Sequence, residues 1–392
     1  MQKNPSPGRQ KVLLVITALF WFSLYVYIPY QTPYLKALGI SSAFIGVILG
    51  AYGATQMIVR IPLGVYADRK SRHRPFITAG TLLAALASLL RLLWPGGPAF
   101  FIANLFSGVA ASTWISFTVL FSSYFPADRL SSATGRIFAA NNIGTLVGFL
   151  AGTVATQLAD TPVLFILSIG AGLLAALLSI WVAEGPAGSL PAGRPSVREL
   201  LSVCARRRLV FFSAAALLLQ GVNMSTAMAF TNQHAADIGG STLEVGVCSV
   251  CYMIACICGS LYAGSGAARR AGARKLLPVS VCAYGLYCAL VPLTRTVWPL
   301  YPLQLLGGLS YALPFSLFMS CAVAGVPAEK RSTAMGFYQA VYGVGMTFVP
   351  MLAGVLLAAG GMGLAYGAMA AICALDAVLV IAAFAKKGFL EE

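Results

Sequence analysis

Two ionisable residues stand inside long apolar runs: Arg60, within Met57-Ile58-Val59-Arg60-Ile61, and Asp376, between Leu375 and Ala377. An ionisable group at membrane depth is costly and is by default a functional candidate. Asp376 lies near the middle of its run and is the carboxylate set deepest by the sequence, which makes it the candidate proton carrier. The alternative is a structural carboxyl hydrogen-bonded to a neighbour. Arg60 lies about two helical turns before Asp68, roughly 9 Å inside the edge of its run at 1.5 Å per residue. It either binds an anionic group of a solute or a carboxylate, or snorkels to the aqueous edge and braces the loop there. His234 and Asp237, one turn apart near the end of another run, form either a proton-uptake pair or an ordinary solvated helix end.

Uncharged polar and aromatic groups lie at comparable depth: Trp21, Tyr25, Asn104, Trp114, Asn141, Asn142, Gln220, Asn223, Tyr311, Gln339 and Tyr342. Amides and rings suit a ligand with apolar faces and a few hydrogen-bonding groups. Each of them singly also serves as interhelical glue or as part of an interfacial belt.

The elements that must carry these residues are membrane spans. The 392 residues are 59% hydrophobic and only 9% charged, against roughly 45–50% and about 25% in soluble domains. Apolar runs of about 20 residues, enough to cross about 30 Å of hydrocarbon, recur at roughly 12–34, 43–66, 76–94, 98–122, 132–157, 162–182, 209–232, 243–265, 277–294, 298–323, 333–358 and 362–385. These are spans 1 to 12. The first is too long for a signal-peptide core of about 7–15 residues and reads as a transmembrane helix. A polar stretch rich in Gly, Pro and Arg, Ala183 to Arg208, separates spans 1–6 from spans 7–12. The domains expected are therefore a six-helix bundle over 1–183, a linker over 184–208 and a second six-helix bundle over 209–392.

All of the 26 Lys and Arg except Lys36, Arg60, Arg91 and Arg295 fall on one side of this layout. By the positive-inside bias, that side, with both termini and the linker, is cytoplasmic. The chain also repeats itself at about 200 positions: Gly46-Val47 recurs as Gly246-Val247, Gly64 as Gly264, Arg69 as Arg269, Arg74 as Arg274, Ser131 as Ser332 and Gly144 as Gly345. Two parallel six-helix repeats about an axis along the membrane normal imply a secondary transporter with a central cavity that opens alternately to each side. Gly144, Gly148 and Gly152, four residues apart, mark close helix packing.

Other classes fit poorly. The net charge of +15 is spread through loops rather than gathered with aromatics, which excludes a nucleic-acid partner. The nine cysteines follow residue 200 inside apolar runs. Cys256 and Cys258 diverge by about 200° on a helix, so these thiols read as small packing residues, with no metal site and no cofactor implied. Two histidines, and neither a Gly-x-Ser-x-Gly nor a His-Glu-x-x-His motif, argue against an enzyme.

The stretch Gly64-Val-Tyr-Ala-Asp68-Arg69-Lys70-Ser71-Arg72-His73-Arg74 resembles the signature loop between helices 2 and 3 of the major facilitator superfamily. With the 6+6 layout, the linker and the weaker copy after span 8, the resemblance covers the whole chain. It implies a latch for the outward-open state made by Gly64, Asp68, Arg69 and Arg72, with an acid that can cap a neighbouring helix N-terminus. The second copy has Ala268 in place of the acid, so the latch is asymmetric. The resemblance also puts the amides and rings named above on cavity-lining helices, and helices 3, 6, 9 and 12 outside the cavity. Asn104 stands where proton-coupled drug exporters carry an arginine, and no proline joins the span 5 glycines.

The expected function is proton-coupled export of small amphipathic compounds by alternating access. Proton-coupled sugar or metabolite transport, in either direction, and flipping of a lipid-linked substrate are the alternatives. The expected setting is a multi-pass monomer in the cytoplasmic (plasma) membrane whose partners are a small-molecule substrate, protons and membrane lipids.

Overall fold

A computed structural model describes residues 7–70, 72–125, 130–182, 184, 202–326 and 330–386. The side chains of 7, 61, 64–70, 130–132, 134, 331 and 332 are excepted. The described chain is helical, and ten helical spans are distinct: α1 (Gly8–Ala37), α2 (Ser42–Lys70), α3 (Arg74–Leu93), α4 (Gly97–Ser123), α5 (Leu130–Leu158), α6 (Pro162–Ser179), α7 (Arg207–Asp237), α8 (Thr242–Ala263), α9 (Ala273–Leu290) and α10 (Leu300–Val323). The helical stretch Arg331–Ala385 is two spans joined at a kink where Gly360 and Gly361 leave helical geometry. These are α11 (331–359) and α12 (362–385). Gly361 has φ +72°, a left-handed conformation open to glycine without a Cβ penalty. The twelve-span architecture with two repeats is thus the one read from the sequence.

Three spans are interrupted. α1 breaks at Val26–Tyr27, just before Pro29, whose ring removes an N–H and restricts the residue ahead of it. α4 breaks at Thr113, whose Oγ1 donates to the Ala110 carbonyl at 2.7 Å. α7 holds a π-helical turn over Thr226–Phe230. Such turns concentrate at functional sites. Thr226 Oγ1 turns back to the Val222 carbonyl at 2.8 Å at its start.

The chain forms two compact units, Met1–Ile28 with Ile58–Arg194, and Pro29–Met57 with Pro195–Glu392. Compactness thus divides α2, grouping its residues up to Met57 with the later chain. In the first unit α1 packs on α5 and α6, and α3 on α4 and α6. Glycines set the approach: a Cβ on Gly144 would meet the Ala18 backbone, and one on Gly148 the backbone of Phe22 and Val26. In the second unit α7 packs on the 331–385 stretch and α8 on α10. There Gly345 of α11 presses on the Leu217 backbone of α7, repeating the Gly144–Ala18 contact, and Gly46, Gly50 and Gly53 press on the backbone of α11 at Pro350, Thr347 and Met346. Large apolar side chains such as Leu158, Val154, Leu261 and Val378 face outward, as surfaces solvated by acyl chains must. Trp94, Trp181 and Trp298 are exposed at span ends, where indoles sit at the membrane interface.

Candidate functional site

In the second unit a polar and aromatic cluster grows from α7. Asn223, buried one turn before the π segment, accepts from the Tyr252 hydroxyl of α8 at 2.7 Å and from the Tyr284 hydroxyl of α9 at 2.9 Å. Three residues earlier, Gln220 accepts a short hydrogen bond from Tyr311 of α10. From Tyr311 the rings continue: it stacks on Phe315 at 5.3 Å, Phe315 meets Tyr342 of α11 at 5.7 Å, and Tyr342 meets Tyr338 at 5.7 Å. The Oε1 of Gln339 is buried and has no hydrogen-bond partner among the described residues. The residues Gln220, Asn223, Tyr311 and Tyr342, all singled out in the sequence, come together here.

Past the π turn the network extends through residues that sequence reasoning missed. The Tyr287 hydroxyl donates to Gln304 Oε1 at 3.1 Å. Its single proton is then committed, so the contact with Thr231 Oγ1 at 2.7 Å has threonine as donor, and the Tyr366 hydroxyl at 2.7 Å donates to that threonine in turn. A directed chain Tyr366 to Thr231 to Tyr287 to Gln304 results, wholly buried. The signal for it was the Tyr284-Gly-Leu-Tyr287 spacing, one helical turn, which puts both hydroxyls on one face of α9. Tyr284 and Tyr287 of α9 and Tyr366 of α12 thus carry hydroxyls into the interior of the unit.

Asp376 of α12 is 1% exposed, and both carboxylate oxygens are buried without a hydrogen-bond partner among the described residues. Leu375, Val378 and Leu379 carry the exposed face of α12, so the acid points into the unit. Tyr338 and Cys373 are titratable neighbours. The structural alternative of a hydrogen-bonded carboxyl thus has no partner among the described residues. His234 and Asp237 lie on α7 itself but bond elsewhere. His234, buried rather than at a solvated end, shares 3.0 Å with Thr294 Oγ1, while Asp237 accepts from Lys36 at 2.6 Å and Gln233 at 2.9 Å.

In the first unit Trp21, Tyr25 and Trp114 come together: the Trp21 ring lies 5.4 Å from each of the other two, and its Nε1 is buried without a partner among the described residues. Asn141 and Asn142 are half-buried on α5, and Arg60 is buried. Asn104 is engaged by an arginine the sequence reading left aside: Arg91 Nη2 donates to Asn104 Oδ1 at 2.7 Å. Of the latch residues, Gly64, Asp68 and Arg69 lie on the backbone of α2 but their side chains fall outside the described residues, and Arg72 is exposed just beyond the helix. Most of the linker, residue 183 and residues 185–201, also lies outside the described residues.

Glu184 was not anticipated. Its carboxylate accepts from the backbone N–H of His73 and of Arg74, each at 3.0 Å. It caps the N-terminus of α3, where the helix dipole favours an anion. Burial lowers the His73 imidazole below its ordinary range, and the Glu184 charge pulls it back up. Among the described residues, no group of three or more His, Cys, Asp and Glu is arranged to hold a metal. Cys248 and Cys256 are buried and Cys258 faces outward.

The sequence model of the Major Facilitator Superfamily matches residues 13–234 and 213–390. The chain belongs to the major facilitator superfamily. With its long apolar helices, that membership makes it an integral membrane protein. Curated relatives include the inner membrane transport protein YajR of Escherichia coli K12, 34% identical over 92 residues, which are 22% of this chain and 20% of YajR. The inner membrane protein YqcE of the same organism is 38% identical over 66 residues, 17% of this chain and 15% of YqcE. The chain thus aligns with a fifth or less of the length of these relatives. Among solved superfamily structures, a bacterial homologue of the human lysosomal transporter Spinster superposes with a TM-score of 0.77 at 15% identity, covering 100% of this chain and 97% of that one. The nucleoside transporter NupG gives 0.76 at 17% identity, covering 96% and 100%. These are likenesses of fold.

Proposed function

We propose that this transporter exports small amphipathic compounds in exchange for protons, working by alternating access. The observation that carries the reading is the Asn223-centred cluster, where uncharged donors and acceptors alternate with ring faces from α7, α8, α9, α10 and α11. Such a lining suits a solute with apolar faces and a few hydrogen-bonding groups. Gln339 Oε1, a buried polar atom of the same unit without a partner among the described residues, is available to that solute. Amphipathic compounds enter a bilayer unaided, so the direction that needs a driving force is outward. Asp376 is the proton carrier in this reading, supported by its burial and by the lack of a partner for either oxygen. Gly64, Asp68, Arg69 and Arg72 serve as the latch, and six-helix bundles over 1–183 and 209–392 with the linker 184–208 are the moving parts. The chain acts as a monomer in the plasma membrane with both termini cytoplasmic.

A second reading, proton-coupled sugar or metabolite transport, is favoured by the amide pair Gln220 and Asn223, since amides and tyrosine hydroxyls also recognise hydroxyl groups. Everted membrane vesicles energised to an acidic interior separate the two. Collapse of the pH gradient on adding lipophilic cations or neutral drugs, lost in Asp376→Asn at equal expression, supports export. Collapse by sugars alone moves the reading to sugar/proton exchange. Drug-driven collapse retained in Asp376→Asn removes the acid from the mechanism.

A further inference from the structure

Arg91 is fully buried near the end of α3, at 0% exposure. Its Nη2 donates to Asn104 Oδ1 at 2.7 Å and to Ser107 Oγ at 2.9 Å, both on α4. The guanidinium lies over the Tyr27 ring of α1 at 4.4 Å and 5.9 Å from the Phe100 ring centroid. The guanidinium also lies within hydrogen-bonding range of the Tyr27 side chain; among the described residues the buried Nε and Nη1 have no other partner, and no carboxylate pairs with this arginine.

A guanidinium keeps its charge in proteins, and a charge taken from water is costly unless an opposite charge meets it. Here the acceptors are a neutral amide and neutral hydroxyls, and the ring beneath adds only a quadrupole. The full charge, the donors left over on the guanidinium and, among the described residues, the lack of a paired acid are what a site has when its counter-ion is a ligand.

We propose that Arg91, with Asn104, Ser107 and Tyr27, forms a binding site for a small monoanion. The anion accepts from the unfilled guanidinium N–H groups, and the Tyr27 and Phe100 rings wall it from lipid. The site is independent of the uncharged cluster on α7. Its ligand is either a free inorganic anion or the carboxylate of a small organic acid.

The test is thermal unfolding of the purified full chain in detergent, at constant ionic strength and pH, with sodium gluconate replaced by chloride, bromide, nitrate, formate or acetate. Binding to the folded state predicts a saturable rise in midpoint of about 5 °C at high occupancy. That rise is absent in Arg91→Gln and reduced in Arg91→Lys. A shift with chloride and bromide assigns a free inorganic anion, and one with formate and acetate alone assigns a carboxylate. Arg91→Gln in gluconate should be at least as stable as the wild type, because the uncompensated charge is gone. Equal midpoints in every anion, or an anion effect that survives in Arg91→Gln, overturns the proposal. Should Arg91→Gln fail to accumulate, excess chloride NMR line width on the wild-type protein decides: competition by bromide or formate supports the site, and its absence overturns it.

Discussion

Asn223 offers the most direct test of whether the tyrosine network is a coupled unit. Replacing it with leucine keeps approximate volume but removes the acceptor at 2.7 Å from the Tyr252 hydroxyl and at 2.9 Å from the Tyr284 hydroxyl. The two losses differ. Tyr284 retains Thr226 Oγ1 at 3.0 Å, so it forfeits about 1 kcal/mol, the net value of an ordinary hydrogen bond. Tyr252 loses its oxygen acceptor inside the unit, a desolvated hydroxyl that costs roughly 1–3 kcal/mol. Asn223→Leu should therefore destabilise by about 2–4 kcal/mol, and Tyr252→Phe alone by about 1 kcal/mol. Combining them removes the orphaned hydroxyl, so the double variant should be less damaged than the sum by about 1–2 kcal/mol. Equilibrium unfolding in mixed micelles of rising dodecyl sulfate fraction, followed by circular dichroism, reads these differences. Effects that add to within about 0.5 kcal/mol would refute the shared-acceptor account.

Other consequences are as specific. Glu184→Ala should cost about 1 kcal/mol by uncapping α3, seen as faster amide exchange at His73 and Arg74, and Glu184→Asp should recover part of it. His73, held below its ordinary range by burial, binds a proton more readily unfolded than folded. Stability is thus intact above about pH 6.5 and declines as pH falls from there through the folded-state value. An unfolding series from pH 7.5 to 5 on His73→Gln should lack that decline, and Glu184→Gln should widen it. Gly345→Ala drives a methyl into the Leu217 backbone and should destabilise by roughly 1–3 kcal/mol. Gly336→Ala, with nothing within 4 Å of the added carbon, should be neutral in the same micelle titration.

What the sequence made legible was whatever depends on solvation and on local spacing. Twelve apolar runs gave twelve spans, and the boundary drawn between 358 and 362 falls at the Gly360–Gly361 kink. The cost of an ionisable group in an apolar run drew attention to the deep acid at 376, and residue type picked out Gln220, Asn223, Tyr311 and Tyr342. What escaped was set by partners far along the chain. Tyr284 and Tyr287 look like interfacial aromatics until Asn223 and Thr231 are found opposite them. Arg91 looked like one stray cation among four. Only the acceptors 13 and 16 residues later, and the lack of a paired acid among the described residues, give it meaning. Glu184 sits in a stretch whose composition announces a linker, and its hold on the start of α3 spans 111 residues to His73.

The π turn in α7 bears on how the two repeats diverged. Gly144 meets Ala18 and Gly345 meets Leu217 in the same manner, so positions 18 and 217 correspond. The left-handed turn residues Gly39 and Gly239, φ +77° and +90°, correspond as well. Between these landmarks the later copy holds one residue more, and the extra residue falls in the stretch that contains Thr226–Phe230. A helix that gains a residue without changing its ends must bulge, and a π turn is that bulge. Thr226–Phe230 therefore accommodates the one residue by which the later copy exceeds the earlier, within the helix instead of in a loop. It rotates everything from Thr231 onward by about 100° relative to Asn223.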